Sequence, residues 1–168
     1  LAKADKEGKL QGVFANAATT AADAKAAEAS RVQAVSLLAL TSFKESGDTL
    51  GACLRSGQPE PVQLAAITAL GELPGTAETA AQLAGVIAEG EMADAKLARQ
   101  SLARLNGPAV DATILTGAER GAKEIRPAFI EQIALRNSAA GLPLLARLRQ
   151  DADPKVRNAA AAALANAI

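Results

Sequence analysis

Residues 151–168, DADPKVRNAAAAALANAI, carry the clearest fold signal in the chain. Apolar residues recur in this stretch at offsets 0, 3, 4, 7, 8 and 11, positions that share one face of an α-helix: Val156, Ala159, Ala160, Ala163, Leu164 and Ala167. Pro154 suits the first helical turn, where its missing N–H costs nothing, and Asp153 before it is a typical N-cap. The pattern predicts an amphipathic helix that begins near Pro154.

The same six-offset template recurs four times upstream. Its first positions are Val32, Val62, Asp94, Ile125 and Val156, at spacings of 30, 32, 31 and 31 residues. Offset 8 is always Leu or Ile. In the first copy the template selects the following residues as inward-facing: Val35, Ser36, Ala39, Leu40 and Phe43. Five amphipathic segments in near-constant register indicate a repeat array.

A second, shorter apolar pattern lies between successive copies of the template. Its members are Leu50, Cys53 and Leu54, then Leu83, Val86 and Ile87, then Val110, Ile114 and Leu115, then Leu142, Leu145 and Leu148. Breaker segments such as LPGT, LNGP and DADP separate the patterns. Each repeat is therefore predicted to be a helical hairpin. Because one hairpin cannot bury its apolar stripe alone, we expect neighbouring hairpins to stack on each other. The sequence predicts an all-α fold, an α-solenoid of about five hairpins, as a single domain over residues 1–168 that is clearest from 30 to 168.

The two ends of the chain carry weaker patterns. The segment 12–30, GVFANAATTAADAKAAEAS, predicts one more helix or helix pair, and residues 1–9 predict a frayed end. Repeat arrays usually finish in a unit with a polar outer face. The last helix instead predicts an exposed apolar face made of Val156, Ala160, Leu164 and Ile168. We therefore expect that the chain is a fragment of a longer protein, or that this helix mediates end-to-end self-association.

The motif DADPKVRNAAAAAL, residues 151–164, resembles the HEAT repeat in its short bacterial form. The matching residues are Asp151, Asp153, Pro154, Val156, Arg157, Ala159, Ala160 and Leu164. The resemblance implies an α-solenoid in which turn aspartates and helix arginines form hydrogen-bonded ladders, with Asp153 and Arg157 in those parts. The chain is also similar to the helical-repeat regions of large bacterial multidomain proteins, which implies a periplasmic setting.

Composition excludes several kinds of chemistry. The chain has no histidine, the residue that acid–base and triad catalysis usually recruit. One cysteine, Cys53, cannot form an internal disulfide or a cysteine-based zinc site. No phosphate-binding glycine motif and no run of 18 apolar residues is present. We predict a protein that is not an enzyme, has no catalytic, cofactor-binding or metal-ligating residues, and does not insert into membranes.

Charge is distributed unevenly, although the formal net charge is zero. Residues 44–94 carry 2 basic and 8 acidic side chains, whereas residues 95–168 carry 11 basic and 6 acidic ones. An ordinary solvated surface, a bipolar protein partner and head-to-tail self-contact all account for this split. The absence of a strong basic stripe and of stacking aromatics disfavours nucleic-acid binding.

The predicted function is that of a non-enzymatic scaffold, which presents a repeated helical surface to a protein partner or to a neighbouring domain. The alternative is a structural spacer within a larger bacterial enzyme. In the HEAT arrangement the template helices line the concave side, which implies five candidate contact residues: Gln63, Lys96, Arg99, Arg126 and Arg157. Ordinary solvated helix surface is the other interpretation of these residues.

Overall fold

The structure, a computed structural model, describes residues 9–166 and contains ten α-helices and no strand within that range. The helices are α1 (Lys9–Ala22), α2 (Glu28–Leu38), α3 (Phe43–Cys53), α4 (Glu60–Glu72), α5 (Ala77–Glu89), α6 (Met92–Arg104), α7 (Pro108–Arg120), α8 (Arg126–Leu135), α9 (Leu142–Leu148) and α10 (Pro154–Asn166). A short 3-10 turn, Ala139–Gly141, precedes α9. The predicted breaker segments coincide with helix boundaries: LPGT lies between α4 and α5, while LNGP and DADP end on the first residue of the next helix.

The helices form five consecutive hairpins, two in a first compact unit and three in a second, with the division of the chain between Pro74 and Gly75. In the first unit α1 packs on α2 and α3 on α4, and the equivalent helices of the two hairpins pack on each other. The second unit repeats this arrangement with α5 and α6, α7 and α8, and α9 and α10. Contacts with the hairpin partner and with the equivalent helix of the next hairpin are typical of stacked repeats. The predicted all-α, α-solenoid fold class is confirmed, while the single-domain assignment stays a prediction.

Helix boundaries follow local chemistry. Ser42 and Glu45 form a capping box at the start of α3. The Ser42 side chain binds the backbone N–H of Glu45, and the Glu45 side chain binds the backbone N–H of Ser42. The Thr76 hydroxyl accepts a hydrogen bond from the Thr79 amide at the start of α5. Pro108 and Pro154 occupy first-turn positions of α7 and α10.

The predicted register holds in the later repeats. In α4, α6 and α8, the template residues at offset 8, which are Leu70, Leu102 and Ile133, are all fully or almost fully buried. In the second unit the partner helices α5, α7 and α9 contribute further buried residues: Leu83, Val110, Ile114 and Leu145. Alanine fills many remaining inward positions, so helix axes approach closely while each contact buries little apolar area.

The predicted register of the first repeat is wrong by one residue. The buried face of α2 consists of Arg31, Ala34, Val35 and Leu38. Leu40 lies beyond the end of α2 and is 51% exposed, Ser36 is exposed, and Phe43 begins the next helix. The first inward position is taken by Arg31, whose side chain is buried and donates a hydrogen bond to the Ala21 carbonyl.

The prediction that the last helix exposes its apolar face is also wrong. Val156 and Ala160 are fully buried, because α10 packs against both α8 and α9, and Leu164 is half-buried. Ile168 lies outside the described residues. At the other end, the helix predicted within 12–30 is α1, and all but the last residue of the predicted frayed end 1–9 lies outside the described residues.

Candidate functional site

An open groove of about 720 Å³ lies in the second unit, along the faces of α8 and α10. We call it the α8–α10 groove. Its lining residues are Ile87, Ala88, Arg99, Glu124, Pro127, Ala128, Glu131, Ala134, Leu135, Asn137, Lys155, Ala159, Ala162, Ala163 and Asn166. A concavity of this volume is within the range of about 300–1,000 Å³ that is typical of binding sites. Its two long walls come from template helices of successive repeats.

The α10 wall is apolar between its two ends. Lys155 and Asn166 are its polar residues, and the groove-facing residues between them are Ala159, Ala162 and Ala163. Their spacing of three or four residues places them on one face of the helix. Because an alanine side chain is a single methyl group, this wall is smooth and leaves volume for a bound molecule's side chains.

The α8 wall ends in a backbone motif that fixes the position of Leu135 and Asn137. Asn137 adopts the left-handed conformation, with a φ of 48°. The amide of Asn137 donates to the Ala134 carbonyl, and the amide of Ser138 donates to the Ile133 carbonyl. These two bonds are the Schellman arrangement that stops a helix. Leu135 stays 53% exposed at this end of the groove, so the wall presents a large apolar side chain to solvent.

A charged pair crosses from α6 to α8 at the groove. The Arg99 Nε donates to Glu131 at 2.8 Å, and the Gln132 amide nitrogen donates to the Arg99 carbonyl at 3.3 Å. The side chains of Arg99 and Glu131 are 38% and 41% exposed, so their pairing contributes about 0–1 kcal/mol to stability. The pair orients a carboxylate and a guanidinium at the groove surface while leaving both accessible to a partner.

Glu124 and Lys155 are the remaining charged residues of the groove. Glu124 lies just before α8, and Lys155 lies in the first turn of α10. Both side chains are exposed and line the groove. No ion pair involving either side chain occurs among the described residues. The groove therefore combines an apolar floor with a rim that carries both signs of charge.

Arg126, one of the predicted contact residues, links the α7–α8 hairpin to the next one through hydrogen bonds. Its Nε donates to the Ala118 carbonyl at 3.0 Å, and its terminal nitrogen binds Asp151 at 2.6 Å. The hydrogen bond from Arg126 is the main reason that the pKa of the Asp151 carboxyl lies below its usual range. A bond from the backbone amide of Asp153 lowers this pKa further. Arg126 is only 13% exposed, so most of its surface is used within the protein.

Arg31 in the first unit makes the equivalent link. Its Nε donates to the Ala21 carbonyl at 3.0 Å, at the end of α1, and its terminal nitrogen donates to Gln58 at 2.7 Å. Both arginines cap a preceding helix, whose carbonyl end attracts positive charge, and reach the turn of the next repeat. The sequence did not point to Arg31, because the residue that it binds in the turn is Gln58 and not an aspartate.

Asp153 and Arg157 do not take the parts expected of them in a ladder between repeats. The Asp153 carboxylate accepts from the Lys155 amide at 2.8 Å, which is the role of a cap, and Arg157 donates to the carbonyls of Asp151 and Ala152. The inter-repeat bond joins Asp151 to Arg126 instead. The physical reason is that local groups already occupy both side chains: Asp153 caps α10, and Arg157 binds carbonyls of the preceding turn.

The other predicted contact residues differ in their surroundings. Gln63 lies in the first unit, is half-buried and donates to the Arg55 carbonyl at 3.1 Å. Lys96 is exposed on α6, and Arg157 is exposed near the start of α10. Of the five residues, only Arg99 lines the α8–α10 groove.

Arg136 is a further arginine that binds the end of a neighbouring helix. It donates to the Leu105 carbonyl at 2.6 Å and also to the carbonyls of Leu102 and Ala103, which caps the end of α6. It also pairs with Asp111 at 2.7 Å. The signal available in the sequence was its position just after an apolar helix, where cations bind carbonyl groups of a neighbouring helix end.

Other chemistry has little basis in the described part of the chain. Residues 9–166 contain no group of three or more Cys, Asp or Glu placed to hold a metal ion. Burial raises the pKa of the Cys53 thiol, which disfavours the reactive thiolate. None of the described helices combines the length and apolar character that crossing a bilayer requires.

No protein-family model and no curated protein matches the chain. Among solved structures, the chain is similar to a designed armadillo repeat protein in complex with the peptide (KR)4. The two chains share 18% sequence identity, with a TM-score of 0.45. The alignment covers 94% of this chain and 82% of the designed protein.

Proposed function

We propose that this chain is a non-enzymatic scaffold of the HEAT-like type, which holds a protein partner or a neighbouring domain of its parent protein. The observation that carries the proposal is the α8–α10 groove. The alanine-lined α10 wall of the groove offers apolar surface to bury, and the charged residues at the rim can orient a bound partner. An apolar centre with a polar rim is the usual anatomy of a protein interface.

The predicted contact residues have unequal parts in this proposal. Arg99 is used directly, because it lines the groove and remains accessible beside Glu131. Lys96 and Arg157 are exposed and remain candidates for peripheral contacts. Gln63 is half-buried and Arg126 is mostly buried, and both donate to carbonyls of their own unit, so we assign them a structural part first and a binding part second.

The test is a site-specific photo-crosslinking experiment with a matched control. Ala161 and Ala162 are adjacent exposed alanines of α10, but only Ala162 lines the groove. A photoreactive phenylalanine analogue at position 162 is expected to trap a partner protein from the source cells, and the same group at 161 is not. Equal trapping at both positions, or none at either, would contradict the proposal.

A further inference from the structure

The α8–α10 groove has features that select between the two common forms of a bound peptide. A peptide in extended conformation presents a backbone N–H or C=O at every residue, and each needs a hydrogen-bond partner once it leaves water. A helical peptide satisfies these groups internally and presents only side chains. The polarity of the groove walls therefore indicates which form the groove accepts.

The walls offer few partners for a peptide backbone. From Lys155 to Asn166 the α10 wall extends for about 16 Å at 1.5 Å per residue, and its groove-facing side chains over that length are alanines. About five residues of extended chain cover this distance, and their backbone groups would meet methyl groups. On the α8 wall the Arg99–Glu131 pair can serve backbone groups at one point, but the lining residues on either side of it are apolar: Pro127, Ala128, Ala134 and Leu135. The centre of the groove therefore disfavours an extended peptide.

We propose that the α8–α10 groove binds an amphipathic α-helix of a partner protein, through large aliphatic side chains on one helix face flanked by one basic and one acidic residue. The proposal rests on the proposed scaffold function and specifies its ligand. Aliphatic side chains from the partner fill the volume that the alanine walls leave open. A row of such residues three or four positions apart on the partner helix matches the row of Ala159, Ala162 and Ala163.

Charge complementarity supplies the flanking residues. Glu124 and Lys155 are exposed and make no ion pair within the described residues, so both are available to a partner. A basic residue of the bound helix pairs with Glu124, and an acidic residue pairs with Lys155. Such rim pairs determine orientation more than affinity.

The test uses two defined peptide libraries displayed for selection against the full chain. One library is locked as helices by side-chain staples, and the other carries proline at every third position, which prevents helix formation. Both vary the same aliphatic residues, and binders are counted only when the Ala162→Arg variant loses them and the Ala161→Arg variant retains them. Circular dichroism confirms that both variants remain folded.

A binder counts as groove-dependent when the Ala162→Arg variant lowers its affinity about tenfold or more. We expect such binders from the helical library alone, and we expect their aliphatic residues to be spaced three or four apart. We also expect Glu124→Lys to weaken binding, and replacement of the peptide's basic residue by Glu to restore it. Groove-dependent binders from the proline library would overturn the helical ligand but leave the scaffold function standing. If neither library yields a groove-dependent binder, both proposals fail.

Discussion

Two glycines in helix interiors are expected to respond in opposite directions to the same substitution. Gly85 lies in α5 and Gly117 in α7, and a helix interior normally gains about 1 kcal/mol when Gly is replaced by Ala. A Cβ added at Gly85 meets no atom within 4 Å, so Gly85→Ala should raise the free energy of unfolding by about that amount. A Cβ added at Gly117 overlaps the ring of Phe129, which packs from α8 onto α7.

The overlap at Gly117 outweighs the gain in helix propensity. Phe129 is only 2% exposed, so its ring cannot swing out into solvent to make room. Overpacking of a core typically costs about 1–3 kcal/mol, against the gain of about 1 kcal/mol from the alanine. We expect Gly117→Ala to lower the free energy of unfolding by about 0–2 kcal/mol, a difference of about 1–3 kcal/mol from Gly85→Ala.

Urea denaturation followed by circular dichroism measures both values, because the chain has no tryptophan or tyrosine for a fluorescence assay. A double-mutant cycle with Phe129→Leu tests the cause, since the smaller side chain frees space for the new methyl group. The coupling between the two substitutions should be favourable, by about 0.5–3 kcal/mol. If Gly117→Ala stabilised the chain as much as Gly85→Ala does, the packing of α8 on α7 derived above would be refuted.

Three further predictions concern the repeats themselves. Leu70→Ala should cost about 2–5 kcal/mol in urea denaturation because Leu70 is fully buried, whereas Leu164→Ala should cost less because Leu164 is half-buried; equal losses would place Leu164 in the core. Because the pKa of Asp151 is lowered in the folded state, the stability that this carboxylate contributes is present above its unfolded pKa and is lost as the pH falls through the folded value. Denaturation at pH 6 and pH 3 should therefore show the deficit of Asp151→Asn shrinking at the lower pH, and a constant deficit would argue against its bond to Arg126. Thr76→Ala should cost about 0.5–2 kcal/mol through loss of the N-cap, and Thr76→Ser should restore most of it.

The candidate site was only partly visible in the sequence. Arg99 was predicted as a contact residue from its place on a template helix, and it lines the groove. Its partner Glu131 lies 32 residues later, and neither periodicity nor composition indicates that the two side chains meet. Three of the predicted contact residues, Gln63, Arg126 and Arg157, share the second position of the template, but contacts with other helices and turns bury Gln63 and Arg126 in part and leave Arg157 exposed.

The helices, their pairing into hairpins and the inward residues of four of the five repeats could be predicted from the sequence. Helix formation and amphipathic spacing depend on residues within a turn or two of each other, so one sequence is enough to predict them. The inward position of Arg31, the bond between Arg126 and Asp151 and the existence of the groove became known from the packing of the helices. These features depend on acceptors and surfaces contributed by other helices, and a long arginine side chain can serve solvent or a buried carbonyl with equal local propensity.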